Sequence, residues 1–85
     1  MALNVDVVAS GALAARLPSG ERPGRARMEL PDGSSVADLL AALDVEAGRP
    51  LLAILNGAVV APGERATARL ADGDTLSLAP PIRAG

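Results

Sequence analysis

Val36, Leu39, Leu40 and Leu43 fall at i, i+3, i+4 and i+7, one apolar stripe of an amphipathic helix. A helix this short does not hold alone in water, so the stripe demands a facing apolar surface. That surface comes from segments of the other period. Leu3, Val5 and Val7 alternate with Asn4 and Asp6. Ala26, Met28 and Leu30 alternate with Arg25, Arg27 and Glu29, and Leu76 and Leu78 alternate with Thr75 and Ser77. Period two puts each apolar set on one strand face. One sheet with one helix across it buries them all, which is an α+β two-layer domain. The expected core is Val5, Val7, Leu30, Val36, Leu39, Leu40, Leu43, Ile54, Leu76 and Leu78.

The segments are punctuated by turn chemistry. Ser35 is a good N-cap, and Asp38 stands at the third helical position, near the first free N–H groups. Pro31-Asp32-Gly33 ends the strand before the helix. Asn56-Gly57 is a hairpin signal leading into a short strand over 58–60, and Asp72-Gly73 is a turn ahead of Thr75. Residues 9–17 read as a brief helical turn, with Leu13 and Leu17 four apart, and residues 18–24 and 46–50 read as loops. The run Leu51-Leu-Ala-Ile-Leu55 is apolar at every position. Such a strand is buried on both faces, or one face waits for a partner. Leu51, Ala53 and Leu55 are the expected partner-binding residues of that run, on the face turned away from the helix.

Eighty-five residues make one small domain, and 49% hydrophobic residues argue for a packed fold rather than disorder. With no Phe, Trp or Tyr, the core must be built from aliphatic side chains. The net charge of -2 and scattered arginines give no footprint for nucleic acid or an anionic membrane. The first residues lack the basic start and apolar stretch of a signal peptide, so the expected location is the cytoplasm. Cysteine and histidine are absent, which excludes a disulfide, a thiol nucleophile and a histidine base. Asp32, Asp38, Asp72 and Asp74 stand in turn and cap contexts, where carboxylates bond to backbone. No side-chain pair has the form of a nucleophile and its base.

The last sixteen residues, Leu70 to Gly85, run from the Asp72-Gly73 turn through an alternating strand into Pro80-Pro81. Two successive residues without an N–H stop strand pairing. Ile82-Arg83-Ala84-Gly85 then offers a short segment ending in a glycine carboxylate. The expected division is a domain over 1–79 and a flexible tail over 80–85.

This ending resembles the ubiquitin-like sulfur carriers of the MoaD/ThiS family. In that family an Asp-Gly-Asp turn leads through the last strand into Pro-Pro-(Val/Ile)-X-Gly-Gly. The matching residues are Asp72-Gly73-Asp74 and Pro80-Pro81-Ile82-Arg83, while Ala84 stands where the family has its first glycine. The segments 30–40 and 54–57 are also similar to the family's. The resemblance implies a ubiquitin-like β-grasp of four to five strands on one main helix, with first and last strands parallel at the centre. It implies a carrier rather than an enzyme. An E1-like adenylating enzyme would use ATP to adenylate Gly85, and a persulfide would replace AMP to leave a thiocarboxylate. Pro80, Pro81, Ile82, Arg83 and Ala84 would thread the partner's channel, and no bound cofactor or metal is implied. The Pro-Pro-Ile tail and the long connection 9–24 look like the small subunit of molybdopterin synthase, whose large subunit would accept the sulfur. Two other readings stand beside this one: a thiamine-pathway or other sulfur carrier, and a non-covalent β-grasp interaction module.

Overall fold

A computed structural model of the chain describes residues 2–17, 24–45 and 51–80. The segments read as loops over 18–23 and 46–50 lie outside the described residues, as do Pro81 to Gly85. Strands β1 (Ala2–Ala9), β2 (Arg25–Pro31), β3 (Leu52–Leu55), β4 (Ala58–Val60) and β5 (Thr75–Ala79) form one sheet in the order β2-β1-β5-β3-β4. β1 pairs with β2 antiparallel and with β5 parallel, and β3 is antiparallel to both β4 and β5. Helix α1 (Val36–Ala42) covers one face, and a 3₁₀ turn, Gly11–Arg16, follows β1. This is the expected ubiquitin-like β-grasp, with the parallel pair inside the sheet.

The inward faces meet as their alternation requires. Val5, Val7, Val36, Leu39, Leu40 and Leu76 are fully buried, and Leu3, Leu13, Leu30, Leu43, Val45, Leu51, Ala53, Leu70 and Leu78 pack around them. All are aliphatic, so each is held by shape and area alone.

The start of α1 is closed from two sides. The Ser35 hydroxyl accepts from the Asp38 N–H at 3.2 Å, and the Asp38 carboxylate accepts from the Ser35 N–H at 2.9 Å. This reciprocal pair is a capping box. The next two N–H groups, of Val36 and Ala37, donate to the carbonyls of Ala68 and Arg65, each at 2.9 Å. The Ser35 backbone N–H holds the Asp38 carboxyl below its ordinary range. The Ser35 hydroxyl and, least of all, the Arg69 charge act in the same direction, against desolvation. A carboxyl depressed in the folded state contributes stability above its ordinary value, and that stability is lost as pH falls through the lowered value. Ser35→Ala is therefore expected to cost about 1 kcal/mol. Asp38→Ala is also destabilising at neutral pH, and its deficit should shrink on acidification, once the wild-type side chain is protonated too. Chemical denaturation at neutral and acid pH measures both.

The end of α1 is equally defined. The Asp44 N–H donates to Ala41 O at 3.0 Å and the Val45 N–H to Leu40 O at 2.9 Å, with Asp44 at φ 61°. This is a Schellman ending with Asp in the left-handed position where glycine is commoner. Its apolar follower, Val45, is buried.

Arg65 is the one charged side chain in the core of the described residues, 2% exposed, with Nη2 donating to the Leu51 carbonyl at 2.8 Å. It ties the segment after β4 to the start of β3. Its backbone carbonyl serves the helix while its side chain serves the sheet, so one residue links the two layers.

The placement expected within residues 51–55 is corrected. Leu51 and Ala53 are buried in the core and Leu55 packs partly against it, whereas Ile54, expected in the core, is only half-buried. Pairing decides the matter: Ala53 lies opposite Leu78 and Leu55 opposite Leu76, both inward residues of β5. Opposed residues share a face, so Leu52 and Ile54 look away from the helix. A run apolar at every position has no internal phase. A one-residue shift exchanges its faces, and only the partner strand sets which is which.

Candidate functional site

β5 occupies the middle of the sheet and delivers the tail. Its last paired residue, Ala79, lies opposite Leu52. Pro80 follows, exposed, with no N–H to continue a ladder. The other side of the exit is formed by the turn after β1. The Ser10 N–H donates to Leu78 O at 3.1 Å, and Gly11, at φ 63°, comes against the Pro80 ring. Of the expected tail residues the structure places Pro80. Pro81, Ile82, Arg83, Ala84 and Gly85 lie outside the described residues.

Beside this exit the sheet's open face carries an apolar row. Register aligns Arg25, Val8, Ser77, Ile54 and Val59 across all five strands. Val59 is 66% exposed, and Val8 and Ile54 are half-buried. Leu52 and Ala79 extend the same face toward Pro80. The neighbouring row carries Arg27 and Asp6, whose 3.2 Å ion pair is open to water on both sides and adds little stability. The surface is thus an apolar strip, bordered by charge on the β2 side and continuous with the root of the tail.

The expected partner-binding positions Leu51, Ala53 and Leu55 do not lie on this strip; Leu52, Ile54 and Val59 do. Val8 was also missed. It follows the alternation of Leu3, Val5 and Val7 out of phase, and that break in pattern was the available signal. Val59→Asp is expected to weaken partner binding on the order of tenfold. It should leave the domain folded, because the side chain is already mostly in water. Calorimetric titration against a partner protein measures the first effect and circular dichroism the second; an unchanged affinity would place the contact elsewhere.

The acidic turn is structural. Asp72 Oδ1 accepts from the Asn4 N–H at 2.8 Å, and Asp74 accepts from the Ala71 N–H at 2.8 Å and from Asn56 Nδ2 at 2.9 Å. The Asn56 side chain also accepts from the Thr75 N–H at 2.9 Å. Asp72 ties the turn to β1, and Asp74, with Asn56, holds the β3–β4 hairpin against the start of β5. Among the described residues there is no group of three His, Cys, Asp or Glu placed to hold a metal ion. No helix among them is long and apolar enough to cross a membrane. A shallow depression lined by Ala2, Glu29, Leu30, Pro31 and Asp32 lies at the opposite end of β1 from Pro80.

Comparison with known proteins converges on the same architecture. The putative molybdopterin converting factor subunit 1 of Pyrococcus furiosus superposes with a TM-score of 0.69 at 21% identity, covering 94% of this chain and 99% of that one. Small archaeal modifier protein 1 of H. volcanii gives 0.69 at 22% identity, with the same coverage of 94% and 99%. A complex of subunits 1 and 2 of the molybdopterin-converting factor of Helicobacter pylori gives 0.56 at 19%, covering 98% and 100%. At these identities the likeness is one of fold. No curated protein matches the chain in sequence. The profile of the ThiS family matches residues 18–85, which takes in α1, the apolar strip of β3 and β4, and the whole of β5 with its tail. The chain belongs to the ThiS family of ubiquitin-like sulfur carriers.

Proposed function

We propose that the chain is a sulfur carrier that works through the carboxylate of Gly85 in molybdopterin biosynthesis. The carboxylate attacks the α-phosphate of ATP on an E1-like adenylating enzyme, and pyrophosphate leaves. A partner persulfide attacks the acyl carbon and expels AMP. A second partner thiol then splits the acyl disulfide and leaves a thiocarboxylate, which is handed to the large subunit of molybdopterin synthase. The chain supplies recognition and reach, the partners supply the catalytic groups, and ATP is their substrate rather than a resident cofactor of this domain. The observation that carries this reading is the exit of a central strand, through Pro80, beside an apolar strip on the open sheet face. The similar H. pylori structure is of subunit 1 together with subunit 2, which supports a large-subunit partner here. Residues 80–85 act as the tail and the preceding residues as the docking domain.

Ala84 supports a second reading. A Cβ in place of the family's first glycine restricts the backbone and thickens the segment that must enter a narrow channel. In that reading the strip binds partners and no covalent step follows. Incubation with an E1-like adenylating enzyme, ATP and labelled pyrophosphate separates the two. Exchange into ATP, with an oxygen-to-sulfur shift in intact mass once a sulfur donor is added, supports the carrier. Absence of exchange from both wild type and Ala84→Gly leaves the interaction module.

A further inference from the structure

We infer that Gly11 is a positioning residue: it seats the ring of Pro80 and so holds the root of the tail in place at the end of the sheet. The functional consequence rests on the carrier reading above; the seat itself rests on geometry. A Cβ on Gly11 would lie 3.2 Å from Pro80 Cγ and 3.8 Å from Cδ. The first distance is tighter than an ordinary contact, so the ring lies directly against the glycine's bare Cα. Gly11 is also held at φ 63°, in the left-handed region that residues with a Cβ avoid.

The base beneath the seat is fixed at both ends. Ser10, one residue before, donates its N–H to Leu78 O at 3.1 Å. Leu13, two residues after, is buried in the core. The turn therefore does not slide along β5. Pro80 is the first residue beyond the ladder, and its own φ is locked by the ring. The ring rests on the glycine with its φ fixed, and Pro81 after it disfavours the α region for Pro80, so the Pro80 backbone has little freedom. Pro80 has no N–H to extend the ladder, and the Gly11–Pro80 contact holds it instead.

Gly33 supplies the control. Its φ is +87°, yet nothing lies within 4 Å of a Cβ built there. Gly33→Ala thus imposes left-handed strain without touching the tail, while Gly11→Ala imposes strain and displaces the Pro80 ring.

The test is made on the full chain in two ways. In NMR spectra, nuclear Overhauser contacts are expected between the Gly11 α-protons and the Pro80 γ- and δ-protons. Gly11→Ala should shift the amide signals of Ile82, Arg83, Ala84 and Gly85, and Gly33→Ala should leave them in place. In pyrophosphate exchange, Gly11→Ala should raise the KM for the carrier on the order of tenfold. That is less than the hundredfold of a full 1 Å misplacement, because the ring need yield only tenths of an ångström. Gly33→Ala should keep the wild-type KM. Pro80→Ala removes the two ring carbons, so the double variant Gly11→Ala/Pro80→Ala should lose less than the sum of the single effects. Missing Gly11–Pro80 contacts, or tail signals unmoved by Gly11→Ala, overturn the seat. So does an equal rise in KM from Gly33→Ala. Wild-type protein inert in exchange would instead sink the carrier reading, with the NMR result still deciding whether Gly11 seats the ring.

Discussion

Deletion of Gly85 is expected to abolish thiocarboxylate formation while leaving the fold intact. The variant ends at Ala84, so its carboxylate sits about 3.5 Å short of the original position. Acyl transfer needs reacting atoms close together and aligned, and a misplacement of about 1 Å already costs on the order of a hundredfold. The new terminus also carries a Cβ beside the reacting carbon, where the wild type has none. Stability should not change, because strand pairing of β5 ends at Ala79. Ala84→Gly is expected to keep or raise the rate of adenylation, since it restores the backbone freedom the family has at that position. Pyrophosphate exchange and intact mass on wild type, Ala84→Gly and the deletion read out the series. An active Ala84→Gly beside an inert wild type would identify a lapsed carrier. Activity in the deletion would show that the terminal residue is not the acyl site.

The largest effect on stability is expected from Leu40→Ala, at roughly 2–5 kcal/mol. Leu40 is fully buried in the middle of the α1 stripe. Truncation removes apolar area and leaves a cavity that the sheet beneath is too well packed to fill. In a domain this small such a loss is a large part of the total stability, and it lowers the thermal midpoint by roughly 4–8 °C for each kcal/mol. The core has no aromatic side chain, so circular dichroism under denaturant is the measurement rather than intrinsic fluorescence. A loss below about 1 kcal/mol would mean that the helix does not rest on the sheet as described.

What could be read before the structure was whatever has one polar side. Residues 3–7, 26–30 and 76–78 alternate, and their inward faces are where alternation puts them. The capping residues Ser35 and Asp38 announced the start of α1. Asn56-Gly57 announced its hairpin, with both residues at positive φ. The strand order came from family resemblance, because period two says which face is inward and nothing about which strand is adjacent. The face of residues 51–55 was misassigned because hydrophobicity there carries no phase. Arg65 was passed over because an arginine reads as surface. Its burial depends on a carbonyl fourteen residues away, a partner no local pattern reveals. The Gly11–Pro80 contact joins residues 69 positions apart. The chemistry proposed for the tail rests on resemblance alone, since a terminal glycine carries no side-chain signature.

The parallel pairing of β1 with β5 sets a condition on how the molecule is made. On the edge of β1 turned away from β2, Asp6 to Ala9 find their partners at Thr75 to Leu78, so almost the whole chain must be synthesised before the sheet can close. Until then the nascent chain holds the β1–β2 hairpin and α1 over an unfilled slot. Contacts so distant in sequence slow folding, and a ribosome stalled before β5 would leave an open apolar strand edge exposed to association. A chain cut short before β5 lacks the central strand as well as the tail, so no folded domain without its tail segment arises from premature termination inside β5. Every copy that completes the sheet has already been extended through Ala79, within a few residues of Gly85.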